Sequence, residues 1–99
     1  MVETRTLVER LRSLEGPLSR QGVTHLAIFG SRARGDARQE SDLDVLIDID
    51  PECKFSLLDL IKVEQQIGES MGLPVSLVMR RSLRPDFEEA IADDVVEVF

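Results

Sequence analysis

Residues 24–50 read THLAIFGSRARGDARQESDLDVLIDID, and this stretch decides the fold. Thr24 to Phe29 is a short apolar run that stops at Gly30-Ser31, the pattern of a buried strand. Ser31-Arg32-Ala33-Arg34 then places good helix formers behind a serine able to cap them. Gly35 to Glu40 is polar and reads as a loop. From Ser41 to Asp50, Leu43, Val45, Ile47 and Ile49 fall on one face, with Asp42, Asp44, Asp48 and Asp50 on the other. That period of two predicts a second strand, apolar on one side and acidic on the other.

Working outward, Leu7, Leu11, Leu14 and Leu18 recur at helical spacing between Thr4 and about Gln21. Thr6 with Glu9 fits a capping box, and Gly22 fits a C-terminal cap. Gly16-Pro17 predicts a kink or a break into two helices. Downstream, Pro51 ends the second strand, and Ser56 with Asp59 opens a helix. Its apolar stripe is Leu57, Leu60, Val63, Ile67 and Met71, up to Gly72. Pro74 to Met79 reads as a third strand, and Arg84 to Ala92 as a last helix with Pro85 in its first turn. The tail from Val95 to Phe99 either packs on the body or adds an edge strand. Helices alternating with strands predict an α/β (α+β) domain: a small mixed β-sheet flanked by helices.

The 99 residues suit one small domain, and 42% hydrophobic residues are enough for a core. Twelve Lys and Arg against 19 Asp and Glu give a net charge of −7. So acidic a chain is a poor binder of DNA or RNA, which needs clustered basic residues. Nucleotide binding through metal ions and backbone N–H groups stays open. A single cysteine, Cys53, excludes an internal disulfide, and a single histidine, His25, excludes a His-rich metal centre. No apolar run approaches the roughly 18 residues of a membrane helix, and the N-terminus lacks a signal-peptide layout. The expectation is a cytoplasmic protein.

The chemistry lies where the two strands meet. A glycine turn into a helix offers free N–H groups to an anion, and the Ser31 hydroxyl adds a donor. After ten intervening residues, Arg32 to Ser41, Asp42 and Asp44 point to the same face, about 6.6 Å apart along the strand. Two carboxylates so close call for a cation, and Mg²⁺ is bound by one or two carboxylates together with substrate phosphates. A phosphate cradle beside a carboxylate pair is a site for a metal-bound nucleoside triphosphate. Arg32 and Arg34 can neutralise triphosphate charge or simply face solvent; Arg38, the pair Arg80-Arg81, Asp36 and Glu40 read as solvated. His25 reads as a hydrogen-bonded structural residue and Cys53 as an ordinary thiol.

The run from Phe29 to Gly35 joined to Ser41 through Ile47 resembles the minimal nucleotidyltransferases (MNT) of the DNA polymerase β-like superfamily. The resemblance spans nearly the whole chain. It implies the polymerase β-like nucleotidyltransferase fold, and a role as antitoxin to an all-helical HEPN RNase toxin. It further implies transfer of AMP from ATP to a Tyr hydroxyl of that toxin. Gly30 and Ser31 would hold the triphosphate, and Asp42 and Asp44 would bind Mg²⁺ and carry catalysis.

One position departs from the family: its third carboxylate is expected in the next strand, where Val75-Ser76-Leu77 places a serine. A hydroxyl is a weaker Mg²⁺ ligand than a carboxylate and a poor base. Asp48 cannot replace it, being about 13 Å along the strand from Asp44. Three readings stay open: the first is an ATP-dependent protein adenylyltransferase, and the second is the same fold neutralising its partner by stoichiometric binding. An accidental motif on an unrelated α/β domain is the third.

Overall fold

The computed structural model describes residues 3–99. It opens with α1 (Thr4–Arg12) and α2 (Glu15–Arg20), which bury Leu7, Leu11 and Leu18. The break falls at Ser13-Leu14 rather than at Gly16-Pro17. The Pro17 ring would collide with the carbonyl four residues back, that of Ser13, so one helix must stop there and a new first turn must take the proline. The Thr6–Glu9 capping box does not form. α1 starts at Thr4, with Glu3 before it and no side-chain cap, so Thr6 lies inside the helix.

β1 (Val23–Phe29) runs into the short α3 (Gly30–Arg34), and a loop leads to β2 (Leu43–Ile49). Ser31 is within α3, not its cap; Phe29 holds that position in extended backbone. α4 (Leu57–Met71) is set by the expected device: the Ser56 side chain accepts from the Asp59 N–H, and the Asp59 carboxylate accepts from the Ser56 N–H. Gly72 ends it in left-handed backbone with φ +66°. α4 then crosses to β3 (Val75–Met79), which runs through a 3₁₀ turn at Arg80–Ser82 into α5 (Pro85–Ile91). The tail takes the edge-strand option as β4 (Val96–Glu97).

The sheet order is β3-β2-β1-β4. β1 is antiparallel to β2 and β4, while β2 and β3 are parallel, as a helical crossover requires. One face carries Leu26, Ile28, Leu43, Val45, Ile47 and Leu77 against Leu7, Leu11, Leu18, Val63, Ile67 and Met71. The apolar alternation of β2 is thus the floor of the main core. In α4 the buried stripe begins only at Val63; Leu57, expected within it, is 70% exposed.

The opposite face is only partly solvated. Leu46, between Asp44 and Asp48, is buried with Ala27, Phe29 and Ile91. Ile91 of α5 covers the middle of this face, while Ser76 near one end and His25 near the other stay exposed.

Candidate active site

Strand register lays the open face out in rows. Phe29 pairs with Asp44, and Asp44 with Ser76. Ala27, Leu46 and Val78 form the next row, under α5. His25 pairs with Asp48 at the far end. Directly paired residues share a face, so Asp44 and Ser76 are side-by-side neighbours about 4.8 Å apart between strands. The structure therefore brings Gly30, Ser31, Asp42, Asp44 and Ser76 to one end of one face.

Gly30 is where the two halves of the motif touch. Its φ is +73°, a conformation that L side chains rarely adopt. A Cβ placed there would collide with the Asp44 carboxylate. The glycine is thus needed twice, for its backbone angle and for the room it gives Asp44.

Burial pushes the Asp44 carboxyl above its ordinary value, the nearby charge of Asp42 pushes it further, and Arg34 pulls it back. That balance describes a half-buried acid with too much negative charge around it. Among the described residues, no group of three or more His, Cys, Asp or Glu side chains is placed to hold a metal ion. The donor set is two carboxylates with a serine beside them. It fits a hard cation such as Mg²⁺, which takes oxygen ligands and fills its remaining positions from phosphates and water.

The two arginines differ. Arg34 is exposed and pairs with Asp36 (Nε to Oδ2, 3.1 Å) and with Asp94 (Nη1 to Oδ2, 2.9 Å). Arg32 is only 4% exposed. Its Nη2 donates to the carbonyls of Ser41 at 2.9 Å and Gln39 at 3.3 Å, while its buried Nε meets no acceptor among the described residues.

Sequence reasoning missed the Asp94 contact, sixty residues from Arg34 with no local signal. It also missed Phe87, whose ring meets Phe29 edge-on at 6.1 Å beside the Gly30 turn. The aromatic at the start of α5 was the available hint. Arg80, read as solvated, instead bonds Asp48 and Glu97, each at 3.1 Å. His25 is exposed; its Nδ1 lies 3.2 Å from the Thr24 hydroxyl and 4.0 Å from Asp48.

Residues 5–98 match the family described as the nucleotidyltransferase domain. The chain belongs to that family. It is 39% identical over 79 residues to the protein adenylyltransferase MntA of Thermococcus cleftensis, covering 80% of this chain and 78% of that protein. It also superposes on the solved structure of a protein provisionally described as a minimal nucleotidyltransferase. The TM-score is 0.79 at 29% identity, over 96% of this chain and 95% of the other. The MNT antitoxin complexed with tri-AMPylated HEPN toxin from Shewanella oneidensis shares the fold (TM-score 0.68, 13% identity, 97% and 71% covered). The minimal nucleotidyltransferase fold expected from the sequence is thus the fold found. Among the described residues no helix is long and apolar enough to cross a membrane.

Proposed function

We propose that the 99 residues act as one nucleotidyltransferase domain, a cytoplasmic antitoxin that binds ATP with Mg²⁺ and moves AMP onto a Tyr hydroxyl of a HEPN-type toxin. The observation that carries this is the meeting of the Asp44 carboxylate with Gly30, which puts the carboxylate pair against the phosphate cradle. The named activity of the Thermococcus relative and the AMPylated toxin in the Shewanella complex support the acceptor class.

In this reading the backbone N–H groups at Gly30 and Ser31, with the Ser31 hydroxyl, bind the β- and γ-phosphates. Arg34 exchanges its carboxylate partners for phosphate oxygens, while Arg32, buried with its Nη2 on the Ser41 and Gln39 carbonyls, serves the loop rather than the phosphates. Asp42 and Asp44 would hold Mg²⁺, which would supply charge neutralisation for the reacting phosphoryl group. The acceptor oxygen bonds to the α-phosphorus in line with the departing bridge oxygen. That P–O bond breaks, pyrophosphate leaves, and the acceptor proton passes to water. Ser76 is neutral and takes no proton, so activation of the acceptor is weak.

That same serine favours the second reading, an inactive or slowed domain that inhibits its partner by stoichiometric binding. In both, the partners are nucleotide and a HEPN-type protein, with no DNA, RNA or membrane. The test is intact mass spectrometry of a HEPN partner after incubation with this chain, ATP and Mg²⁺. The expected result is a gain of one or more AMP units with matching pyrophosphate. A tight complex whose partner never gains mass selects the second reading, and no complex and no adduct rejects both.

A further inference from the structure

We propose that Arg32 is a positioning residue that sets the direction of the Asp42 carboxylate and thereby the metal affinity of the site. This rests on the reading of Asp42 and Asp44 as the metal pair. Asp42 lies just before β2, exposed, at the end of the loop that follows α3. Its direction depends on the two peptide planes flanking its Cα, because each peptide unit is rigid. The Asp42–Leu43 plane is held from one side: the Leu43 N–H donates to the Pro74 carbonyl at 2.8 Å. The Ser41–Asp42 plane is held from the other by Arg32, through the Ser41 carbonyl at 2.9 Å.

The rest of the loop needs the same clamp. Arg38 to Ser41 closes on itself, with the Ser41 N–H donating to the Arg38 carbonyl at 3.0 Å and the Arg38 N–H to the Ser41 hydroxyl at 2.9 Å. Arg32 grips this turn at a second carbonyl, that of Gln39. Its own backbone is anchored in turn, since the Thr4 hydroxyl donates to the Arg32 carbonyl at 2.7 Å. Arg32 therefore links α1, α3 and the loop in one rigid path ending at Asp42.

The burial of Arg32 is the independent observation. A cation this deep is costly, and no carboxylate pairs with it among the described residues. For packing alone, an aliphatic chain of similar length would serve better. What an aliphatic residue lacks is a donor: the single Nη2 reaches both carbonyls, held in the plane of the rigid guanidinium, whereas a lysine ammonium ends a flexible stem that fixes no such plane. The hydrogen bonds that hold the guanidinium are those of Nη2 to the loop carbonyls; Nε has no partner among the described residues.

The test compares wild type with Arg32→Met and Arg32→Lys. Three quantities are read: affinity for Mn²⁺ alone by water-proton relaxation, ATP binding in EDTA by calorimetry, and amide exchange at Asp42 and Leu43. Loss of a group that orients a metal ligand typically weakens metal binding about 10–100-fold. Arg32→Met is expected to lose Mn²⁺ affinity on that scale and to exchange faster at both amides, with ATP binding in EDTA unchanged. Arg32→Lys is expected to fall between. A drop in metal-free ATP binding would mean that Arg32 acts on phosphate directly and overturns the proposal, as does unchanged Mn²⁺ affinity. Should Arg32→Met not fold, Arg32→Lys decides by the same readings. A wild type that binds neither Mn²⁺ nor ATP rejects the functional reading instead, and the amide exchange rates still decide whether the clamp exists.

Discussion

Two aspartates on one face of β2, four residues apart, have opposite surroundings. Asp48, at the far end, accepts from Arg80 at 3.1 Å; Arg80 also reaches Glu97, and His25 stands at 4.0 Å. Asp44, at the near end, has a second acid for a neighbour and a carboxyl raised by burial. The chain thus neutralises one acid with its own residues and leaves the other to be neutralised from outside. Sequence alternation alone cannot tell them apart, because both occupy the polar phase of the same strand. The difference lies in the partners the fold supplies, which is why an unbalanced acid beside a glycine turn marks a site and a balanced one does not.

The largest effect that can break this comparison is removal of the near pair. Asp42→Asn with Asp44→Asn is expected to abolish Mg²⁺-dependent nucleotide binding in calorimetry while the circular dichroism spectrum is kept. Leu43 and Val45, on the other phase, carry the packing. The pH dependence should change as well. The Asp44 carboxyl sits above its ordinary value of 3.8, so in the apo protein its ionisation costs stability. The stability of the protonated form is fully present below the unfolded value and is lost as pH rises through the folded one. The double variant should lack this loss and melt slightly higher near neutral pH. Retained Mg²⁺-nucleotide binding in the variant would mean that the unbalanced acid is not the site.

A smaller effect sharpens the same end of the face. Ser76 is exposed and pairs in register with Asp44, so Ser76→Asp adds a carboxylate beside the pair. General-base assistance of this type is typically worth about 10²–10⁴-fold, and the transfer rate is expected to rise within that range, with Mg²⁺ only. Without metal, three like charges crowd one end of the sheet, so the apo variant should melt lower than wild type. A wild type already fast in AMP transfer and indifferent to Ser76→Asp would show that another group does this work.

What could be read from the sequence was local. The alternation in Leu43 to Ile49 fixed the strand and its core face, and Ser56 with Asp59 located the start of α4 to the residue. Gly30-Ser31 and Asp42-Leu43-Asp44 were legible as a pair because both sit at the ends of elements that short-range pattern defines. The rest depended on contacts that no local pattern encodes. Arg34 finds Asp94 and Arg80 finds Glu97 only because the C-terminal segment folds back over the sheet. Leu46, in the acidic phase, is buried for the same reason. Arg32 stood in a polar run as one more basic residue; its burial follows from where the loop carbonyls lie, which the sequence does not state. Leu57 continued a good helical stripe, yet the stripe overran the sheet it packs on.

The smallest expected effect concerns the far end and is the most direct control. Asp48 and Arg80 are each 31% exposed, so their ion pair is partly screened and is worth at most about 1 kcal/mol. Asp48→Asn and Arg80→Met should therefore each lower stability by no more than about that amount in urea titrations. Their double-mutant cycle should return a coupling energy of similar size, because each removes the same contact. Glu97 complicates only the Arg80 variant, since that arginine holds both acids; Arg80→Met should cost more than Asp48→Asn. Affinity for Mg²⁺-nucleotide should be unchanged in both variants. Asp48 lies about 13 Å along the strand from Asp44, too far to share a metal, and its charge is already compensated. If Asp48→Asn weakened Mg²⁺-nucleotide binding as severely as Asp44→Asn, the two ends of the face would be one electrostatic unit. Pairing within the chain would then no longer separate a structural acid from a functional one.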